Sequence, residues 1–305
     1  MGMMVDGIWT TKDGIGTTRT FEREASVCRG RIGEGGHPAE AGRYLLYVML
    51  GCPWAHRTLL MRALLGLEEA IDVVTLRSMP TVADGWVFDA SDPDPYGRSA
   101  LHEVYAAGRP GYTGRCTVPV LWDRETQSVV NNESAEIIRM LAGPMAQFAK
   151  TPIEMRPADL VGEIDALNAR IYAGLNDGVY RAGFAQTQVA HDAAVAEVFE
   201  TLDWLEERLS DGREYLCGAR ITEADVRLCP TLFRFPAYRE AFYCDLVGPD
   251  AHPRVWAYRD RARRWPGVAE TLLSDEDYAR GYGAIGFAAA NNPAIVRRGN
   301  GAART

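Results

Sequence analysis

The sequence predicts an α/β domain followed by an all-helical domain. Three observations carry this. A strand-like run at 43–49, apolar from Tyr44 on, leads into a proline-started helical pattern at 53–65. A second strand-like run at 71–76 completes a β-α-β unit. Beyond 157 the apolar residues recur at helical spacing only.

Bulk properties narrow the function classes. A chain of 305 residues with 47% hydrophobic and 24% charged residues has room for a sizeable core. The net charge of −8 repels phosphate backbones, so nucleic acid is a poor partner, although a local pocket can still hold a small anion. No run approaches the ~20 apolar residues of a membrane span. The N-terminal "MGMMVDGIWTTKDG" lacks a signal-peptide core, which points to a cytoplasmic protein. Six cysteines, at 28, 52, 116, 217, 229 and 244, form no CxxC pair and no zinc spacing, so free thiols and no metal are expected. Cys217 and Cys229 read as packing residues.

Each element has its own signal. Residues 1–40 lack periodicity and read as an irregular arm. After Arg43 the strand at 43–49 is apolar, as a strand buried on both faces should be. Pro53 suits the first helical position and Gly66 the stop. The stretch 81–112 is long for a loop, hinting at a functional or partly helical insertion. Strands at 118–122 and 128–130 flank the turn "DRETQ", and a helix opens within 131–141. A Gly/Pro linker at 142–157 precedes helices at 160–172, 187–209, 222–235 and 255–264. The basic run "RDRARRW" within the last reads as a solvated face. The expected division is an arm at 1–40, the α/β domain at 41–145, the helical domain at 158–275 and a Gly/Ala/Asn tail at 276–305.

Three features carry chemistry. Cys52 precedes Pro53 and so falls at the N-cap of the first helix, where free N–H groups and the helix dipole stabilise a thiolate. It can be a nucleophile, a metal ligand or a core residue, and the strand–Cys-Pro–helix setting favours the first. His56 and Arg57 lie one turn on and can add positive charge, although Arg57 can equally meet a carboxylate elsewhere. In "CTVPV", Pro119 opens a strand, and a cis bond there would offer the Val118 backbone to an extended peptide ligand; a plain turn proline is the alternative. In "NNESAE", Glu133 and Ser134 open a helix that can bind a carboxylate and an ammonium group, or can simply be capped. Together these features fit a thioredoxin-like domain followed by a helical one.

The chain resembles the glutathionyl-hydroquinone reductases, the Xi class of glutathione transferases. The resemblance rests on motifs in order: "CPWAHRT" at 52–58, "GW" at 85–86, "GRCTVPVLWD" at 114–123, "NNESAEIIRML" at 131–141, "NDGVYRAGFAQTQ" at 176–188 and "GARITEADVRL" at 218–228. It implies that Cys52 is the nucleophile and that glutathione is the co-substrate. Trp86 would stack along glutathione, the segment of Arg115, Cys116, Thr117 and Val118 would bind its backbone, and Glu133 with Ser134 would hold its γ-glutamyl end. Tyr180 would be the proton donor or acceptor, with Tyr238 and Tyr282 beside the thiol; read from the residues alone, packing also accounts for each tyrosine. The partners implied are a small aromatic thioether and a second copy of the chain as a homodimer.

The sequence departs from that family in places. Pro236 stands where members usually carry Asp, a usual His is missing near Ala241, and Gly281 and Gly283 flank Tyr282 where two larger residues are usual. The glutathione motifs are intact, so the expected change is in the acceptor pocket. Ala55, three residues after Cys52, leaves no resolving cysteine, so a second glutathione would resolve a mixed disulfide. The rivals are a reductive dehalogenase or other thiol transferase, and a non-catalytic glutathione-fold binding protein.

Overall fold

The structure is a computed structural model that describes residues 2–11, 25–77, 83–245, 248–286 and 288–297. Parts of the expected arm (12–24), insertion (81–82) and tail (298–305) lie outside the described residues. The chain divides into two compact units, one running to Ile153 and the other from Glu154.

The first unit is built on a four-stranded sheet of β3 (Tyr44–Val48), β4 (Ile71–Thr75), β5 (Val120–Asp123) and β6 (Ser128–Asn131) in the order β4-β3-β5-β6. β3 runs parallel to β4 and antiparallel to β5, placing Leu46 opposite both Val73 and Leu121. Every β3 residue is buried, as its uninterrupted apolar run requires. Helix α1 (Pro53–Leu65) makes the parallel crossover. Gly66 ends it at φ 63°, its N–H reaching back to the Ala63 and Arg62 carbonyls, a left-handed cap that glycine adopts without strain. The long insertion carries α2 (Leu101–Gly108), and α3 (Ser134–Ala142) follows the β5–β6 hairpin.

The arm is more ordered than its composition suggests. β1 (Met3–Val5) and β2 (Ile8–Thr10) pair as a ribbon. Asp6 at φ 49° and Gly7 at φ 80° form its two-residue turn, and Asp-Gly is the pair that such turns favour. Further on, Arg43 donates two hydrogen bonds to Asp123 and His37 Nδ1 lies 2.7 Å from the same carboxylate. These contacts tie residues 37–43 to the end of the sheet. Burial pushes the Asp123 carboxyl up, but Arg43, His37 and the amides of Thr126 and Glu125 outweigh it and hold it down at about 2.

The second unit is helical: α4 (Val161–Ile171), α5 (Gly178–Gly183), α6 (Gln188–Arg208), α7 (Glu223–Phe233), α8 (Phe235–Ala241), α9 (Pro253–Ala262) and α10 (Asp275–Gly283). A π-turn at Tyr172–Asn176 carries α4 towards α5. Thr222 and Asp225 form a reciprocal capping box on α7, and the same buried carboxylate accepts from the Leu216 amide.

Three expectations are corrected here. The tail begins as a helix: α10 buries Tyr278 and Tyr282, and Ala288 and Ala289 beyond it are buried too. The basic run is not simply a solvated face, because Arg259 is buried, pairs with Asp275 at 2.8 Å and lies over the Trp256 ring. Cys229 is core, but Cys217 is only partly buried, accepting from the Thr222 hydroxyl at 3.7 Å. Among the described residues, no helix is long and apolar enough to cross a membrane.

Candidate functional site

Within the first unit, the Cys52 thiol stands where β3 gives way to α1. Cys52 is the N-cap in extended geometry (φ −79°, ψ 120°), and its side chain makes no capping hydrogen bond. The thiol is therefore not consumed by the helix it heads. The backbone fixes its place: Cys52 N–H donates to the Met49 carbonyl at 2.9 Å, and His56 N–H donates to the Cys52 carbonyl at 3.0 Å. The side chain is partly exposed, with Sγ 3.9 Å from the Val118 carbonyl oxygen. Val118 precedes Pro119 through a cis bond. Cys52 and Val118, far apart in sequence, thus share one edge.

The buried thiols elsewhere in the chain are raised by burial. Cys116 is buried, and burial pushes its thiol up to about 12. The same cause raises Cys28, carries Cys244 to about 12 and drives Cys229 well above the ordinary range. Cys116 accordingly contributes main chain rather than a reactive sulfur to the 115–118 segment. Hydroxyls from elsewhere hold that segment: Tyr112 donates to the Arg115 carbonyl at 2.9 Å and Tyr105 to the Thr117 carbonyl at 2.8 Å.

Glu133 and Ser134 open α3 as expected, and the capping role is realised. The Glu133 carboxylate accepts from the Ala135 amide at 3.1 Å and from the Ser26 hydroxyl at 3.0 Å. The Ser134 hydroxyl accepts from Arg57 Nη1 at 3.4 Å. The buried Arg57 guanidinium joins α1 to the start of α3 and puts positive charge there. His56 is fully buried. Trp86 stands in its own loop, half-buried, its carbonyl accepting from the Leu101 amide at 2.8 Å.

Within the second unit, the three expected tyrosines meet. Tyr180 on α5 and Tyr282 on α10 have hydroxyls 2.6 Å apart, and the Tyr238 hydroxyl on α8 lies 3.5 Å from that of Tyr282. Phe242 stacks flat on Tyr238 at 5.2 Å and meets the other two rings edge-on. Burial pushes the Tyr238 hydroxyl well above its ordinary range, so it stays protonated. Fully buried Arg234 donates to the Pro230 carbonyl at 2.7 Å and lies over the Tyr278 ring. Burial works against that cation, but the guanidinium's own high basicity keeps it charged, with the Pro230 carbonyl and the Tyr278 ring facing it. Sequence reasoning missed Arg234 and Phe242, because their part lies in what they pack against. A Cβ at Gly281 or Gly283 would meet nothing within 4 Å, so the substituted positions beside Tyr282 are open.

Comparison with known proteins agrees with this architecture. The glutathione S-transferase N-terminal domain family matches residues 51–143 and the corresponding C-terminal domain family matches 188–261. The chain is 44% identical over 292 residues to glutathionyl-hydroquinone reductase PcpF of Sphingobium chlorophenolicum, covering 93% of this chain and 92% of that protein. It is 43% identical to glutathionyl-hydroquinone reductase YqjG of Escherichia coli strain K12, covering 90% and 88%. Among solved structures, the Xi class glutathione transferase from Natrialba magadii superposes with a TM-score of 0.85 at 37% identity, over 98% of this chain and 93% of that one. Glutathione-bound YqjG superposes with a TM-score of 0.80 at 40% identity, over 91% and 89%.

Proposed function

The chain belongs to the glutathionyl-hydroquinone reductases, the Xi class of glutathione transferases, and we propose that it reduces glutathionyl-hydroquinones to hydroquinones at the expense of glutathione. The observation that carries this reading is the Cys52 thiol: it heads α1, is partly exposed, and is not used as the helix cap.

The Cys52 thiolate attacks the sulfur of the aryl thioether. A sulfur–sulfur bond forms, the carbon–sulfur bond breaks, and the ring carbon takes a proton from Tyr180. Both sulfurs are oxidised and the ring carbon is reduced. A second glutathione then gives up its thiol proton, which restores Tyr180, and its thiolate attacks the glutathione sulfur of the mixed disulfide, releasing glutathione disulfide and the Cys52 thiolate. Cysteine rather than serine or tyrosine at position 52 favours this exchange over conjugation.

In this reading Trp86 stacks on glutathione, the main chain of Arg115, Cys116, Thr117 and Val118 pairs with its backbone, and Glu133 with Ser134 holds the γ-glutamyl end. The Arg57 guanidinium behind Ser134 supports binding of an anionic group there. Tyr238 and Tyr282 orient Tyr180 through the hydroxyl network. With Gly281 and Gly283 beside Tyr282, the acceptor site in this reading is altered from the family's usual one. A cytoplasmic homodimer belongs to the same proposal; the unpaired cysteines support the compartment.

The test is turnover of a glutathionyl-hydroquinone with glutathione by the wild type, Cys52→Ala and Cys52→Ser. The expected result is one hydroquinone per glutathione disulfide for wild type and near-complete loss in both variants. Full activity in Cys52→Ala would refute the mechanism. Chlorinated hydroquinones in the same assay separate reductase from dehalogenase.

A further inference from the structure

The N-terminal ribbon touches both loops to which glutathione binding is assigned above. On one side Trp9, in β2, grips the loop before Trp86. Its indole Nε1 donates to the Ala83 carbonyl at 2.6 Å. Its ring stacks on the His102 imidazole with centroids 4.7 Å apart and planes within 12°. His102 Nδ1 in turn lies 3.0 Å from the Asp84 carbonyl oxygen. Gly85 passes close against the indole at φ 66°; a Cβ there would sit 2.9 Å from Cη2 and 3.0 Å from Cζ2 of Trp9. Trp9 and His102 thus hold residues 83–85 between them, and Trp86 is the next residue.

On its other side the ribbon is stitched to the chain just before Arg115. Met4 and Gly114 exchange both backbone hydrogen bonds, at 2.9 and 3.0 Å. Gly7 N–H donates to the Tyr112 carbonyl at 2.9 Å, and Asp6 N–H to the Thr113 hydroxyl at 2.9 Å. The Tyr112 hydroxyl continues to the Arg115 carbonyl. One short ribbon therefore links the two loops, although it supplies no residue that the glutathione site is assigned.

We propose that this ribbon, acting through Trp9, is a positioning element that sets the place of Trp86 relative to the 115–118 segment, so that both engage one glutathione molecule. The inference rests on the reading of Trp86 and residues 115–118 as glutathione contacts. Trp9 is a positioning residue: it acts through Trp86 and does not touch the ligand. A site whose support is loosened loses affinity without losing its chemistry.

The probe is S-methylglutathione, titrated calorimetrically into the full-length protein. The variants are Trp9→Ala, Trp9→Phe, His102→Ala, Trp86→Ala and the double Trp9→Ala/Trp86→Ala. Trp9→Ala and Trp86→Ala should each weaken binding about tenfold, with a matching rise in the KM for glutathione and a much smaller change in kcat. Trp9→Phe keeps the stacking, loses the hydrogen bond and should weaken binding about threefold. The double variant should bind no more weakly than Trp86→Ala, because Trp9 acts through it. The rate of Cys52 alkylation by iodoacetamide should stay at the wild-type value in the Trp9 and His102 variants. If Trp9→Ala does not fold, Trp9→Phe and His102→Ala carry the same comparison.

Wild-type affinity in folded Trp9→Ala, beside a weakened Trp86→Ala, overturns the inference alone. Losses that multiply in the double variant to about a hundredfold overturn it also, since independent sites would then be shown. Wild-type affinity in Trp86→Ala overturns the assignment of Trp86 and the inference with it.

Discussion

The hydroxyls of Tyr180 and Tyr282, 102 residues apart in sequence, lie 2.6 Å from one another in a buried aromatic cluster. One hydroxyl must donate and the other accept, so the donor's proton is held between the two oxygens. In the proposed cycle that proton is needed only when a carbon–sulfur bond breaks. Tyr180→Phe should therefore slow reduction of an aryl thioether about 10²-fold or more. It should leave thiol exchange with a small glutathione mixed disulfide, which protonates no carbon, within about twofold of wild type, because the fold's exchange machinery is untouched. Tyr282→Phe should give a smaller loss on the thioether and lower stability by about 1 kcal/mol, the cost of one unmet buried hydrogen bond. Equal losses on both substrates would place Tyr180 outside the protonation step.

Cysteine reactivity should follow burial. Four thiols, Cys28, Cys116, Cys229 and Cys244, are buried and pushed upward, whereas Cys52 is partly exposed at a helix start. Substoichiometric iodoacetamide at pH 7.5, read by peptide mass spectrometry, should label Cys52 ahead of the others. Preferential labelling of Cys217, the other partly exposed thiol, would count against a reactive Cys52.

Asp123 should govern acid stability at the sheet's end. Its carboxyl is held at about 2, below its ordinary value of 3.8, chiefly by Arg43 and His37 acting against burial. A lowered carboxylate contributes stability above its unfolded value, and that contribution is lost as pH falls through the folded one. Asp123→Asn should thus cost roughly 2–4 kcal/mol at pH 7 in urea denaturation, because it removes the buried negative charge that Arg43 and His37 face and leaves Arg43 only Glu40 at 3.4 Å and the Gly36 carbonyl. The gap from wild type should close as pH falls from about 4 to about 2. A gap that does not change with pH would mean that the charge is not what Asp123 contributes.

Gly281 lies inside α10, and a Cβ there meets nothing within 4 Å. Gly281→Ala should raise stability by about 0.5–1 kcal/mol through helix propensity, measured by thermal unfolding, without disturbing the neighbouring Tyr282. Destabilisation would show that the space beside Tyr282 is not open.

Much of the thiol's setting was legible because it is local. Pro53 and Gly66 delimit α1 by backbone rules that need no tertiary partner, and Cys52 falls at the cap by elimination. The helices that bring the tyrosines together were not legible. α5 and α8 have six and seven residues, too short to show a period, and α10 ends in a Gly-Tyr-Gly that reads as a tail. Tyrosine carries little helical preference, and these rings are placed by one another and by Phe242, which is tertiary information. The ribbon did have a signal: Val5-Asp6-Gly7-Ile8 is a hairpin turn between apolar residues, hidden because each strand has three residues. Arg57 was noticed, but only packing reveals that it meets Ser134.

The central claim is that Cys52 carries glutathione covalently between the two half-reactions. The direct measurement is intact-mass and peptide mass spectrometry of enzyme mixed with one equivalent of a glutathionyl-hydroquinone and no free glutathione. The account predicts one glutathione per chain, on Cys52, formed together with one equivalent of hydroquinone and released as glutathione disulfide when glutathione is added. Hydroquinone formed with no adduct on Cys52, or with the adduct on another cysteine, would contradict it.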